Sequence, residues 1–396
     1  MLNAATRQFI REHRSDDVQQ LALRFKPDAN SGIDLQAALT QIAGRQGIKH
    51  KIPSWYKQDD LLYPTRLALE QCSSEATARY KASLLSGHSF ADLTGGFGVD
   101  TAFIAPQFIQ TQYVERQTEL ALVARHNFAV SGLTIQTHTV DGVDFLKTMQ
   151  PVNCLYLDPA RRSSTGRKML WIEDCEPDIL SIQDELLSKA DNVLIKLSPL
   201  LDIHAALKVL KKVYQIHIVS VDNECKELLF LLRNAFSGEP AVVCVNIVKQ
   251  NIQSDTFTLS EEKNNVISFT SIVRKYLYEP NASLLKGGFY KSLSLRYAVD
   301  KLHPDSHLYT SNVFIPNFPG RIFQIECASS FNKQDLKAAL RTVSRANLTV
   351  RNFPLSVEQL RKQLKIKDGG DNYLFATTLA DGRRVLLKAC KKEKSL

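Results

Sequence analysis

Three glycines fall within four positions, at 95, 96 and 98, immediately after the apolar run Phe90-Ala-Asp-Leu and immediately before Val99-Asp-Thr-Ala-Phe-Ile-Ala105. The pattern reads as a buried strand that turns sharply into the first turn of a helix. Gly95, Gly96 and Gly98 permit positive φ and a close approach of the backbone to a bound molecule, and the N–H groups at the helix start add donors and partial positive charge. Such a turn commits the chain to an α/β unit with a ligand at the strand end, and it serves several nucleotide-like cofactors.

Three further segments narrow the ligand. Gln112-Tyr-Val-Glu115 is a short apolar strand ending in a carboxylate a little over twenty residues after Asp92, the offset at which an acid accepts hydrogen bonds from ribose hydroxyls in doubly wound folds. Thr134 to Asp141, followed by Gly142, reads as a third strand ending in an acid, and Asn153-Cys-Leu-Tyr-Leu-Asp158-Pro-Ala-Arg161 as a fourth ending in Asp-Pro. A dinucleotide fingerprint laid on Gly96 and Gly98 would require glycine at Thr101. The set leans instead to S-adenosylmethionine (SAM).

Over residues 86–250 the chain resembles the class I SAM-dependent methyltransferases. Asp92-Leu-Thr94-Gly95-Gly96-Phe-Gly98-Val-Asp100-Thr101 is similar to the first motif of that family, Glu115-Arg116 to its ribose-binding acid and neighbour, and Asp141-Gly142 to its adenine-side acid. Asp158-Pro159-Ala160-Arg161 is similar to its fourth motif. The first motif with Val-Glu-Arg resembles RNA methyltransferases that modify a guanine exocyclic nitrogen. The resemblance implies a Rossmann-like sheet, SAM as cofactor, and an acceptor held by Asp158 to Arg161.

Composition sets outer bounds. With 396 residues the chain can form two or three domains, and 44% hydrophobic with 23% charged residues is a globular balance. There is no apolar run long enough for a membrane span and no secretory signal at the N-terminus, which predicts a cytoplasmic protein. The seven cysteines form no C-x-x-C pair and the nine histidines no ligand-like spacing, so no metal is expected. Net charge is +9, and the stretch Gln324 to Leu396 alone carries 15 Lys and Arg against 7 Asp and Glu. A basic end on a near-neutral remainder predicts a polyanionic partner, most simply structured RNA such as tRNA or rRNA.

In chain order, residues 1–85 read as a helical region; Glu70, Gln71 and Ser73 to Thr77 either line the pocket or cap helices. Residues 86–250 carry the alternating strands and helices of a doubly wound sheet, with a fifth strand at Asn192 to Pro199, and polar residues 250–265 mark its boundary. Small α+β modules follow at 270–323 and 324–396. Together they resemble the ferredoxin-like plus THUMP-like pair attached to RNA methyltransferases, with the tail Leu364-Lys-Ile-Lys-Asp-Gly-Gly-Asp-Asn-Tyr carrying part of the likeness. THUMP domains bind structured RNA.

An exocyclic base amine is a poor nucleophile because its lone pair is delocalised. A carboxylate and a strand-end carbonyl that accept its two N–H bonds orient that pair. The resemblance gives this role to Asp158 and Pro159. Ala160 and Arg161 depart from the proline and aromatic residue of the Asp/Asn-Pro-Pro-aromatic pattern, and Trp171 is a candidate for the missing ring. Pyrimidine C5 methylation needs a cysteine that adds to C6; in the families that carry Asp-Pro-Pro-Arg and do this it follows the fifth strand, where Leu197-Ser198-Pro199 has none. The rival expectations are a methyltransferase of protein or small molecules, and an RNA-binding protein that has lost activity.

Overall fold

The computed structural model describes residues 2–26, 31–161 and 172–392, with the side chain of Arg161 outside the description. The chain divides into two compact units, Met1–Ile216 with Glu227–Gly238, and His217–Lys226 with Glu239–Leu396.

The first unit begins with helices over Ala4–His13, Val18–Arg24 and Leu35–Ile48, whose Phe9, Leu21, Ala38 and Ile42 form a small core of their own. Asn3, Asp17 and Asp34 cap the three helices by accepting N–H groups of the first turn. Trp55 packs edge-on against Phe97, with ring centroids 5.2 Å apart, inside a cluster that includes Tyr113 and Phe128. It is a packing residue at the seam between the helices and the sheet. Pro64 and Ser74 mark the two helices expected before the first strand: Arg66–Gln71, and Glu75–Leu84, where Ser74 accepts the Thr77 N–H.

Five parallel strands follow: β1 (Ser89–Asp92), β2 (Gln110–Val114), β3 (Gln136–His138), β4 (Val152–Leu157) and β5 (Ala190–Leu197). They lie in the order β5-β4-β1-β2-β3; β7 (Glu224–Leu232) runs antiparallel beside β5, and β6 (Val213–Val221) lies beside β7 in a sheet of nine strands. Register places Asp92 beside Tyr113 on one side and Tyr156 on the other, and Leu157 beside Ile195. Reversal of strand order between β4 and β2 about β1 makes the carboxyl ends of these strands the place where a ligand crevice opens in such sheets.

The second unit holds an antiparallel hairpin of Ala241–Val248 with Asn251–Phe257. Residues 251–257, read from sequence as a polar boundary, are therefore a strand. One edge and one face lie toward solvent, so only Phe257 is buried and the apolar signal of a strand is missing. A sheet of seven strands then runs in the order 300–301, 309–311, 276–280, 320–330, 384–392, 372–378, 347–351. The long strand Gly320–Ser330 pairs with Tyr276–Pro280 on one side and Arg384–Lys392 on the other, so it crosses the 323/324 boundary expected from sequence. Phe323 and Phe375 meet edge-on in the core beneath it, with centroids 4.8 Å apart. Among the described residues no helix is long and apolar enough to cross a membrane, and no group of three His, Cys, Asp or Glu could hold a metal ion.

Candidate active site

The carboxyl ends of β1, β2, β4 and β5 and the turn after β3 enclose a cavity of about 790 Å³, within the range of small-molecule and cofactor sites. Its wall contains Asp92, Thr94, Gly95, Gly96, Gly98 and Asp100 from the first strand and turn, with Glu115, Arg116, Asp141 and Gly142 from the next two. Asp158, Pro159 and Ala160 come from the fourth. Of the site residues expected from sequence, Thr101 stands behind this wall, fully buried, where its hydroxyl donates to Asp92 Oδ2 at 2.5 Å. The backbone of Arg161 pairs with Cys175 in a two-residue ladder. Trp171 and residues 162–170 lie outside the described residues.

The turn is built by backbone constraints. Gly98 adopts φ +82°, and a Cβ there would stand 2.7 Å from the Phe128 ring; a Cβ at Gly95 would stand 2.1 Å from Tyr113. Only a residue without a side chain fits either position. Gly96 also has positive φ but faces open space, its nearest neighbour to a built Cβ being 3.8 Å away. Glu115 fixes the turn from the side: Oε2 accepts the Gly96 N–H at 2.8 Å and Oε1 the Gln117 N–H at 2.7 Å. Asp141 caps the helix Gly142–Thr148 by accepting the Val143 N–H at 2.8 Å.

Asp92 is buried and accepts the Thr94 N–H at 2.9 Å as well as the Thr101 hydroxyl. Burial pushes its carboxyl up to about 7 in spite of those bonds. Thr94 in turn accepts the Asp158 N–H at 2.6 Å, which ties the end of β4 to the glycine turn.

Behind the far wall the sheet buries a chain of charges. Lys81 of the helix Glu75–Leu84 is fully buried and donates to both oxygens of Glu227 on β7, at 3.0 and 2.8 Å, and to Ser73 Oγ at 3.1 Å. Its Nζ also lies 3.1 Å from Asp100 Oδ1. Asp100 Oδ2 accepts the hydroxyls of Ser73 and Tyr156, each at 2.7 Å. Against a strong burial effect, Lys81 and then Lys196 hold the Asp100 carboxyl below the usual carboxylate range. Lys196, on β5, donates to Asp158 Oδ2 at 2.5 Å. Burial opposes its charge, but Asp158, Asp100 and Glu227 outweigh burial and hold the ammonium above its ordinary range.

The comparisons with known proteins come from both ends of the chain. A THUMP domain-like family model matches residues 320–391, and a ferredoxin-like domain model matches residues 276–319. Two Mycobacterium tuberculosis proteins, each named as an S-adenosylmethionine-dependent methyltransferase, are 20% identical over 320 residues, which is 80% of this chain and 84% of theirs. A crystal structure from Porphyromonas gingivalis, described as that of a methyltransferase, is 34% identical with a TM-score of 0.90 and covers 99% of this chain and 100% of its own. The chain belongs to the SAM-dependent methyltransferases.

The methyltransferase carries a Rossmann-like sheet in its first unit and ferredoxin-like and THUMP-like domains in its second. In its cavity Gly96 leaves room at the turn, and Glu115 is held by two backbone N–H groups with its carboxylate in the wall. Sequence reasoning passed over Lys196, Lys81, Glu227 and Tyr156. Lys196 had a signal, since a lysine interrupts the apolar run Val193-Leu-Ile of a strand buried on both faces. Lys81 had none, because it stands in an ordinary amphipathic helix and its partner is 146 residues away.

Proposed function

We propose that this methyltransferase acts on RNA, a tRNA or an rRNA, at a base exocyclic nitrogen such as guanine N2. What carries the RNA part is the THUMP domain-like match over 320–391 on the stretch that holds most of the net positive charge. Bound SAM supplies an electrophilic methyl group on a sulfonium. Thr94 to Gly98 would cradle its methionine part, Glu115 the ribose, and Asp141 with Gly142 the adenine, with Asp92, Asp100, Thr101 and Arg116 shaping the cradle.

The nitrogen part rests on Asp158. Its carboxylate is about one-third exposed and gives Oδ2 to Lys196, which leaves Oδ1 to accept an N–H of the acceptor. The carbonyl at Pro159 would take the second N–H, and both bonds turn the amine lone pair toward the cradle. Tyr156 and Asp100, both buried, line the cavity on this side.

The test is mass spectrometry of nucleosides in RNA from cells with and without the gene. One methylated base nitrogen should disappear with the gene. A missing methyl on ribose oxygen or on carbon would overturn the nitrogen assignment, and an unchanged nucleoside profile would overturn RNA as the acceptor.

A further inference from the structure

Lys196 occupies a place where a lysine is expensive. Leucine and isoleucine flank it on β5, the side chain is 14% exposed, and desolvating an ammonium costs several kcal/mol unless it is well paired. The other two carboxylates near it, Asp100 and Glu227, are already neutralised by direct contact with Lys81. Lys196 Nζ itself donates to Asp158. Stability alone does not account for such a pair, because an apolar residue of similar volume commonly replaces a buried ion pair at no loss.

The geometry points to Lys196 as a positioning residue for methyl transfer: it holds Oδ2 of Asp158 and so turns Oδ1 to the acceptor. The inference rests on the reading that Asp158 contacts the acceptor. Three restraints converge on that one carboxylate. The Leu157–Ile195 register sets Asp158 beside Lys196, the Thr94 hydroxyl holds its N–H at 2.6 Å, and the ammonium fixes the side chain. Lys81, clamped between Asp100 and Glu227, closes the row so that charges alternate from the helix to the acceptor wall. Among the described residues Lys196 donates to the carboxylate of Asp158, while Asp100 and Glu227 are in direct contact with Lys81 and act on Lys196 through space.

The test compares wild type, K196M and K196Q by transfer of tritium from labelled SAM into a lysate of cells that lack the gene, fractionated afterwards into RNA, protein and small molecules. Thermal melting checks the fold, and calorimetry with SAM checks the donor site. K196M should lose about 100-fold in transfer rate, the scale of a mispositioned reacting group, with SAM affinity within about 3-fold. K196Q, whose amide can still donate to the same oxygen, should recover about 10-fold of that loss. If K196M does not fold, K196L replaces it with a strand-compatible side chain and the same expectation. A K196M rate within about 3-fold of wild type overturns the inference, as does a loss of SAM affinity as large as the loss of rate. Wild-type label in protein rather than RNA overturns the RNA reading while the variant comparison still decides the role of Lys196.

Discussion

Two carboxylate clusters, one in each unit, pair acids with basic side chains to opposite ends. In the second unit Glu279 is 2% exposed and accepts both Arg321, through Nε at 2.7 Å, and Arg351, through Nη2 at 2.9 Å. Both of its oxygens are engaged. In the first unit Asp158 is opened to a cavity, and Lys196 engages one oxygen. The saturated cluster joins the strand Tyr276–Pro280 of the ferredoxin-like match to the strands of the THUMP-like match, whereas the unsaturated one keeps an acceptor lone pair in reserve. The two carboxylates thus differ in what their basic partners leave unengaged.

Substitutions in the two clusters should separate along that line. The largest effect is expected for Asp158→Ala, with transfer of label from SAM falling by about 1000-fold while calorimetric SAM affinity stays close to wild type. Full activity in that variant would erase the contrast between the clusters. Lys81→Met strands Asp100 and Glu227 without their cation and should cost about 3–5 kcal/mol in denaturant unfolding, the largest stability loss of the set. Glu279→Gln should cost less, about 2 kcal/mol, because both arginines are partly exposed and can be hydrated. Its SAM affinity should be unchanged, and a large drop there would show that the second cluster also serves the cavity.

A further effect concerns pH. The Asp92 carboxyl is raised in the folded protein to about 7, so its protonated form is favoured on folding. The stability from this group is fully present below the unfolded value near 4 and is lost as pH rises toward 7, on the order of 1 kcal/mol per pH unit in that window. Asp92→Asn mimics the protonated form, since the amide can accept from Thr94 and donate to Thr101. Melting curves of the two proteins between pH 5 and 8 should diverge steadily up to pH 7 and run parallel above it. Parallel curves throughout would mean that Asp92 is ionised across the range.

How far the sequence carried this picture depends on the range of the interactions involved. The glycine turn, the acids at 92, 115, 141 and 158 and the strands that bear them are local patterns, and the structure brings those residues to one cavity. A helix start was equally legible at Ser74, whose side chain caps the helix that follows. The strand 251–257 was hidden because a half-exposed edge carries polar residues. The charged row from Lys81 to Asp158 was hidden because Lys81 finds Glu227 only through the order of strands in the sheet, and that order has no local signature. The two modules were legible in the sequence, but not that they share one seven-stranded sheet, in which the strand Gly320–Ser330 pairs with both halves.

A Cβ at Gly142 would stand 2.2 Å from the carbonyl oxygen of Leu93, although β2 separates β1 from β3 in the sheet. At this point of the cavity rim the main chains of two turns come into contact, and position 142 has no room for a side chain. Any residue larger than glycine there would have to prise the two strand ends apart, so the width of the opening is set by the absence of one Cβ.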